Sequence, residues 1–285
     1  MVSLKGKIPL LIKDLNLNPN LGQHLLVDEK IIDQIINIIP PKSLVLEIGA
    51  GCGQITRKLL QNHCQVIAVE IDKKFAPFLE KLKKKYKKRL KIVYQDILKF
   101  NWESLSSSKN LWLTGSLPYH ITEPLFHKLI FVPFKEAIFL VGARFAFETQ
   151  LTEDFQNFGK LTLLIQSFFN PQVIEKIPKN SFFPQPKVNS AILRLTPKTK
   201  NDYQKNPFLK IFKELFLSAP RGPLIKNALR ETLIRQKLAK TKKEAKKIIS
   251  QLNLPQEILQ KPLEQLNNQQ LYQLYYSLRS FLQRL

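Results

Sequence analysis

Apolar residues recur along this chain at two different spacings, and these spacings predict its elements. Residues 28–39, DEKIIDQIINII, predict a helix with Asp28 as its N-cap and one apolar face made of Ile31, Ile32, Ile35, Ile36 and Ile39. Short apolar runs, typical of buried strands, follow at SLVLEIG, CQVIAVEID, LKIVYQDIL and NLWLTGSLPY. GQITRKLLQN and the lysine-rich segment between these runs are helical in pattern. We therefore predict an α/β fold with a mostly parallel sheet and helices on both faces.

The rest of the chain adds two more predicted strands and then changes to a helical pattern. Two further strands are predicted at EAIFLVGARF and NSAILRLTP, with a helical stretch, FGKLTLLIQSFF, between them. After Pro197 the segment KTKNDYQKN predicts a basic linker, and from Pro207 onward the periodicity is helical. Leu271, Leu274, Leu278 and Leu282 mark the last helix. The sequence thus predicts a sheet-bearing domain over residues 1–197, with an N-terminal arm, and a small all-α domain over residues 198–285.

Composition narrows the class of protein. Hydrophobic residues make up 44% of the 285 positions, which is typical of a globular chain. No apolar run approaches the ~20 residues that cross a bilayer. The two cysteines, Cys52 and Cys64, are too few for a disulfide framework, and the four histidines are scattered rather than spaced as zinc ligands. We expect a cytoplasmic protein, without a metal or a membrane partner, that is monomeric.

Charge indicates the kind of partner. The net charge is +23, and two stretches supply most of it. Residues 73–91 hold ten Lys/Arg and one Glu, and residues 198–247 hold fifteen Lys/Arg and four Asp/Glu. Lysine on solvated helix faces would explain either stretch alone. Two separate clusters favour binding of a nucleic acid through its phosphates.

Candidate ligand groups follow three consecutive strands of the predicted sheet. Gly49 and Gly51 belong to LEIGAGCGQIT, where glycines let the backbone approach a ligand at a helix N-terminus. Glu70 ends the next strand, where a carboxylate can accept hydrogen bonds from ribose hydroxyls, and Asp96 ends the third, where it can accept from an adenine amine. A helix cap or a surface charge would explain each acid singly. Together they favour a nucleoside cofactor at the carboxyl edge of the sheet.

The chemistry of the cofactor can be narrowed further. The glycine loop lacks the lysine and the Ser/Thr of a phosphate-and-magnesium site, so an adenosine cofactor without a triphosphate fits better, and S-adenosylmethionine is the candidate. The fourth strand delivers GSLPYHIT, residues 115–122. There a polar side chain and a backbone carbonyl can accept from an amine that is being methylated, while an aromatic side chain stacks on its base. A proline turn with a packed tyrosine is the alternative explanation for this segment taken alone.

These segments, in this order, resemble the ribosomal RNA adenine N6-dimethyltransferase family, and in particular its KsgA-type branch. LGQHLLVD resembles the family's G-Q-N-F-L-x-D segment, SLPYHIT its N-L-P-Y-N-I-S signature, and FFPQPKVNSAILRL its F-x-P-x-P-K-V-x-S-A segment. The resemblance implies a Rossmann-like methyltransferase sheet, a helical RNA-binding domain, and methyl transfer to N6 of adenines near the 3′ end of 16S rRNA in the small ribosomal subunit.

The resemblance also assigns roles to residues of this chain. In the cofactor site, His24 and Leu26 would border the methionine part, Gly49 and Gly51 would lie against the cofactor, and Glu70 and Asp96 would hold the ribose and the adenine. In the transfer step, the Ser116 side chain and the carbonyl of Leu117 or Pro118 would accept the N6 protons. Tyr119 would stack on the flipped base, with Phe182 a candidate for the other face.

Three departures from the family pattern leave alternatives open. Ser116 replaces an asparagine, Arg144 stands where the family has an acid, and SAPRGPLIKNAL replaces an arginine-rich segment. A serine hydroxyl has a shorter reach and is a weaker acceptor than an amide carbonyl. One alternative is a catalytically weakened, rRNA-binding assembly factor of the same fold. Another is an enzyme that acts on a different rRNA adenine, as in the macrolide-resistance branch.

Overall fold

The computed structural model describes residues 15–105, 110–150 and 159–284, apart from the side chain of Tyr119. The chain divides into two compact units, the first within Met1–Phe147 and Pro171–Pro197 and the second within Glu148–Asn170 and Lys198–Leu285. The division at Pro197 coincides with the boundary that we predicted. The described residues within 148–170, which we assigned to the sheet-bearing domain, group instead with the helices of the second unit.

A seven-stranded sheet dominates the first unit. The described strands are β1 (Leu25–Leu26), β2 (Leu44–Ile48), β3 (Gln65–Glu70), β4 (Leu90–Tyr94), β5 (Leu111–Ser116), β6 (Glu136–Gly142), β7 (Phe169–Ile177), β8 (Phe182–Phe183) and β9 (Ser190–Pro197). The sheet order is β4-β3-β2-β5-β6-β9-β7. Strands β4 to β6 in this order are parallel, and β9 runs antiparallel to β6. This confirms the mostly parallel sheet, while the small β1–β8 pair was not predicted.

Among the described residues of the first unit, the helices are α1 (Glu29–Ile38), α2 (Gln54–Gln61), α3 (Ala76–Lys85), α4 (Tyr119–Leu129) and α5 (Ala143–Glu148). The Asp28 side chain accepts from the backbone N–H of Lys30 at 3.2 Å, which confirms the predicted N-cap. Helices α1 and α2 bury their apolar faces against β2 and β3 in one continuous core, to which α3 contributes Leu79. These helices hold the strands in place, so the loops at the strand ends have fixed positions.

The described part of the second unit is mostly helical, apart from the start of β7 and an isolated bridge between Leu224 and Pro262. Its helices are α6 (Lys160–Phe168), α7 (Lys200–Lys205), α8 (Pro207–Ser218), α9 (Ile225–Arg235), α10 (Lys242–Gln251), α11 (Gln256–Leu259) and α12 (Asn268–Leu282). Helix α6 packs against α8, which explains why its segment groups with this unit. The predicted linker is instead partly helical, since Thr199 and Asp202 form a capping box that starts α7. Among the described residues, no helix has both the length and the apolarity needed to span a membrane.

The topology of the sheet creates a crevice at one edge. The chain runs from β2 outward through β3 to β4, then returns to the other side of β2 to form β5 and β6. At such a reversal the loops leaving the central strands diverge and leave space beyond the carboxyl ends. The glycine loop, Glu70, Asp96 and Ser116 all lie at these carboxyl ends.

Candidate active site

The glycine loop joins β2 to α2 and folds over the end of β3. The backbone N–H groups of Gly49 and Ala50 both donate to the Val69 carbonyl, at 2.9 and 3.3 Å. Gly51 has a left-handed backbone, with φ of 52°, and a Cβ at this residue would lie 3.0 Å from Leu25 Cδ2. A side chain here would therefore be strained and would crowd the cavity wall. The loop exposes backbone rather than side chains to the crevice.

Glu70 is the buried carboxylate of the site. Its Oε2 accepts from the Gly51 N–H at 2.7 Å, and its Oε1 accepts from the Asp72 N–H at 2.9 Å. Burial raises the pKa of Glu70, against the opposing effect of these backbone hydrogen bonds. A carboxylate has about four lone-pair positions, so the group can still accept from two hydroxyls of a ligand. Glu70 thus fixes the glycine loop and retains acceptors for the crevice.

A second buried acid, Glu47, supports the same loop and was not among the predicted site residues. It lies within β2, is almost fully buried, and accepts from the Thr56 hydroxyl of α2 at 2.5 Å. Burial raises the pKa of Glu47 to about 8, with the Thr56 hydrogen bonds acting in the opposite direction. An acid inside the apolar run LVLEIG is a signal that the sequence did contain.

Asp96 lies at the end of β4 and serves two purposes. Its Oδ1 accepts from the Leu98 N–H at 2.8 Å, so it caps the short helical turn that follows the strand. A helix cap is the alternative explanation that the sequence left open for Asp96. The residue also lines the crevice beside Gln95 and Ile97, so its carboxylate faces the same space as that of Glu70.

The segment before β1 closes the crevice from another side. The side-chain amide of Gln23 donates to Asp72 Oδ2 at 2.8 Å, and its Oε1 accepts from Lys74 Nζ at 2.6 Å. This network ties the segment to the turn after β3. The His24 Nδ1 lies 2.7 Å from the Pro184 carbonyl, which only accepts, so Nδ1 carries the proton of this hydrogen bond.

These elements enclose a first cavity of about 450 Å³. The predicted cofactor residues that line it are His24, Gly49, Gly51, Glu70, Asp96 and Ser116. Ile71 lies between Glu70 and Asp72 in the chain. It is 67% exposed and gives the cavity an apolar wall. Backbone N–H groups, the three carboxylates of Glu70, Asp72 and Asp96, and an apolar wall suit a nucleoside better than a bare phosphate. We refer to this space as the cofactor cavity.

The end of β5 forms the far wall of the cofactor cavity. Gly115 fits closely beside β2, since a Cβ there would come within 2.2 Å of the Ile48 carbonyl oxygen. Ser116 is the last residue of the strand and lies opposite Leu140 of β6. The Pro118 carbonyl accepts from the Ile121 N–H at 3.2 Å and from the Thr122 hydroxyl at 3.0 Å. Both of its lone pairs are therefore already used within the chain.

A second cavity, of about 420 Å³, adjoins the first. Ser116, Leu117, Pro118 and Phe182 line it, together with the Gln185–Ser190 loop. The two cavities share Gly22, His24, Ser116, Pro118 and His120, so they meet at the end of β5. Phe182 is buried and pairs with Leu26 in the β1–β8 sheet. We refer to this space as the target cavity. The side chain of Tyr119 lies outside the described part of the structure.

Two residues that the sequence singled out are not at the cavities. Leu26 was expected at the cofactor, but its side chain is buried in the core beneath the sheet, and its neighbour Leu25 lines the cofactor cavity instead. Successive residues of a strand point to opposite faces, which explains the exchange. Arg144 is exposed on α5 and lines neither cavity, so its charge does not enter the crevice.

Comparison with known proteins agrees with this geometry. The family model described as ribosomal RNA adenine dimethylase matches residues 14–271. A protein of Francisella tularensis subsp. novicida (strain U112), named ribosomal RNA small subunit methyltransferase A, is 37% identical over 231 residues, which cover 77% of this chain and 86% of that protein. A protein of the same name from Clostridium botulinum (strain Okra / Type B1) is 33% identical over 183 residues, or 62% of this chain and 66% of that one.

Solved structures share the fold. A dimethyladenosine transferase from Plasmodium falciparum has a TM-score of 0.60 and 24% identity, and the match covers 92% of this chain and 98% of that one. The 23S rRNA methyltransferase ErmE has a TM-score of 0.56 and 21% identity, with 89% and 99% of the two chains covered. Both confirm the methyltransferase fold. Because the family model matches most of the length of this chain, the chain belongs to the ribosomal RNA adenine dimethylase family.

Proposed function

We propose that this chain transfers methyl groups from S-adenosylmethionine to N6 of adenines near the 3′ end of 16S rRNA, and so contributes to maturation of the small ribosomal subunit. The observation that carries the proposal is the meeting of the cofactor cavity and the target cavity at Ser116 and Pro118. A donor held in one space and an amine held in the other would face each other across this point. The names of the relatives support the same reaction.

The residues of the cofactor cavity fit S-adenosylmethionine. Its ribose hydroxyls suit the remaining acceptors of Glu70, and its adenine amine suits the carboxylate of Asp96 beside the apolar Ile71. The methionine part would lie along the bare backbone of Gly49 and Gly51, next to His24. We assign the second contact there to Leu25 rather than Leu26, since Leu25 lines the cavity. The bound cofactor supplies a methyl group on a positively charged sulfur.

The residues at the end of β5 orient the amine. Methylation of N6 requires its lone pair to be freed from the ring, and acceptors for its N–H groups favour that state. The Ser116 hydroxyl is one such acceptor. Of the two carbonyls considered, we assign the second acceptor to Leu117, because the Pro118 carbonyl is occupied by Ile121 and Thr122. Positioning and electrostatic stabilisation of the charge that forms on N6 would supply most of the rate.

The base would be held in the target cavity outside its helix stack. Phe182 offers an apolar face at one side of this cavity, and Tyr119, at the start of α4, is assigned the other. Stacking on an aromatic side chain contributes about 1–3 kcal/mol per base. The fit supports an extruded adenine, since an amine inside a stacked helix cannot reach a donor in a buried crevice.

The surface of the chain suits a large, phosphate-rich partner. Seven lysines in and around α3 are exposed: Lys73, Lys81, Lys84, Lys85, Lys87, Lys88 and Lys91. Such charge binds RNA without regard to sequence, and it releases counterions as it does so. We therefore propose that this surface binds the rRNA of the small subunit. We also propose that the chain acts as a monomer in the cytoplasm.

The test is methyl transfer from labelled S-adenosylmethionine to unmethylated small subunits, followed by nuclease mapping and mass analysis of the modified nucleoside. We expect N6,N6-dimethyladenosine near the 3′ end of 16S rRNA. Tight binding to the subunit without transfer would contradict the proposal and make the chain an assembly factor. Methylation of a different adenine would contradict the assigned target while leaving the chemistry intact.

A further inference from the structure

A third cavity lies within the second unit, and none of its lining residues lines the cofactor cavity or the target cavity. It measures about 410 Å³ and is bounded by the residues that precede α7, by α7 itself and by α8. Four lysines line it: Lys198, Lys200, Lys210 and Lys213. A concave surface with this many ammonium groups creates a strongly positive local potential. We refer to it as the lysine cavity.

The acids near the lysine cavity offset only part of its charge. Glu214 also lines the cavity, but its carboxylate pairs with the Arg235 guanidinium at 2.6 Å. Asp202 accepts from the backbone N–H and the hydroxyl of Thr199, both at 2.7 Å, to cap α7. Within the described residues, none of the four lysine Nζ atoms has a carboxylate at ion-pair distance. The cavity therefore keeps an excess of positive charge.

Two of the lysines are held in place by the fold. The Lys213 Nζ lies 4.9 Å from the centre of the Tyr203 ring and 5.7 Å from that of Phe168. Lys198 is half-buried and donates to Asn170 Oδ1 at 2.5 Å. Burial lowers the pKa of Lys198, which the charge of Asp202 partly offsets. An ammonium group that is removed from water without a paired carboxylate gains from an anionic ligand.

The other two lysines lie at the rim. Lys200 and Lys210 are exposed, as is Gln204 between them. Two partly buried cations and two exposed cations around one cavity suit an anion with several oxygens that remains partly exposed. A phosphate in a polynucleotide backbone has this property, because its neighbours along the chain stay outside. The volume also exceeds that of one phosphate and leaves room for an adjoining ribose.

We propose that the lysine cavity binds one backbone phosphate of the rRNA substrate and so fixes the helical unit on the RNA. This inference rests on the proposed rRNA substrate and adds a defined contact to it. The phosphate carries no sequence information, so its role is to position the chain. The other source of the same chemistry is a free phosphorylated small molecule, which the experiment distinguishes.

The test compares two doubly substituted full-length chains. Lys200→Gln with Lys210→Gln removes two exposed charges at the cavity rim, and Lys242→Gln with Lys243→Gln removes two exposed charges on α10. Affinity for unmethylated small subunits is measured over a range of salt concentrations. We expect the rim pair to lower the affinity about tenfold and to reduce the salt slope by about 0.7–0.9, the value of one phosphate contact. The α10 pair should change both quantities less.

Further measurements decide among the other outcomes. Lys198→Gln should weaken binding as the rim pair does, with its melting temperature recorded to exclude unfolding. At saturating subunit the cavity variants should keep the wild-type kcat and show a raised KM. Equal effects of the rim and α10 pairs, or none from either, would overturn the inference. The inference would also be overturned if inorganic phosphate or pyrophosphate stabilised the wild type while the rim pair bound RNA as tightly as the wild type does.

Failure of the inference and of the proposed function would look different. If the wild type transfers no methyl group yet binds the subunit through the lysine cavity, the proposed reaction is wrong and the phosphate site stands. If methyl transfer occurs and the rim pair behaves like the α10 pair, the reaction stands and the phosphate site is wrong.

Discussion

The cofactor cavity and the target cavity share a wall but are built from different parts of the chain. The cofactor cavity is made of strand ends, a glycine backbone and three acids, and Glu70 accepts a hydrogen bond directly from the loop that it supports. The target cavity is made mostly of side chains on the Gln185–Ser190 loop and at the end of β5. The first is fixed by topology, whereas the second can change with single substitutions. Ser116 belongs to both.

Glu70→Ala should separate the two cavities most clearly, because it should weaken cofactor binding alone. It removes the acceptors that we assign to the ribose hydroxyls, and it frees the glycine loop from its hydrogen bond to Glu70. Since a hydrogen bond to a charged group contributes about 1.5–3 kcal/mol, we expect affinity for S-adenosylmethionine to fall about 100-fold. Titration calorimetry measures this, and affinity for small subunits should stay unchanged. The control is Glu80→Ala, since Glu80 is an exposed acid that accepts from Tyr94 and lies outside the cavity. Equal cofactor affinity in both variants would remove Glu70 from the site.

Substitution of Ser116 tests the wall that the cavities share. Ser116→Ala removes an acceptor worth about 1–1.5 kcal/mol, so the single-turnover rate should fall about tenfold. Ser116→Asn adds a longer and stronger acceptor and should raise the rate. Both variants should bind small subunits like the wild type. Equal rates for the three chains would show that Ser116 is not an acceptor in the transfer step.

Phe182→Leu sharpens the comparison from the target side. Leucine keeps most of the buried apolar contact with the core and removes the aromatic face. We expect the KM for small subunits to rise about fivefold, near the lower end of the ~1–3 kcal/mol range for stacking. Affinity for S-adenosylmethionine should not change. A matched control is Phe169→Leu, since Phe169 is also buried but lines neither cavity. Equal effects of the two variants on KM would argue against stacking on Phe182.

The same contrast explains what the sequence could predict. Strands β2 to β6 and the acids at their ends were predictable, because buried parallel strands are continuous apolar runs and their order fixes which ends meet. The β1–β8 pair was missed, since two-residue strands carry no periodic signal. Strand β7 was missed because it contains Pro171 and a mixture of polar and apolar residues, so it shows no clear strand pattern. Helix α7 was missed although the Thr199–Asp202 capping box was present in the sequence.

Side-chain placement was harder to predict than topology. Leu25 and Leu26 are chemically equal, and only the register of β1 with β8 decides which one faces the cofactor cavity. The occupancy of the Pro118 carbonyl depends on how α4 begins, which the motif SLPYHIT does not specify. Arg144 looked disruptive in the sequence because it stands where the family has an acid, which reverses a charge. Its exposure on α5 is a property of the fold alone.

The smallest expected effect concerns Glu47, which supports the glycine loop without facing either cavity. Because burial raises the pKa of Glu47 to about 8, the folded chain binds a proton there that the unfolded chain releases near pH 4.3. This stabilisation is complete below the lower value and is lost as the pH rises towards the upper one. Glu47→Gln keeps an acceptor for Thr56 and carries no charge. Its urea midpoint should therefore match the wild type at about pH 4 and exceed it at pH 8.

The pH dependence of the Glu47→Gln variant should not vanish, since the pKa of Glu70 is raised by burial too and acts in the same direction. The exposed acid Glu80 provides the control, because Glu80→Gln should leave the wild-type pH profile in place. Parallel profiles for the wild type and Glu47→Gln would mean that Glu47 is ionised in the folded chain at neutral pH. The buried carboxylate would then need a positive charge nearby in addition to the hydrogen bond from the Thr56 hydroxyl. In that case, backbone and topology alone would not determine the cofactor cavity.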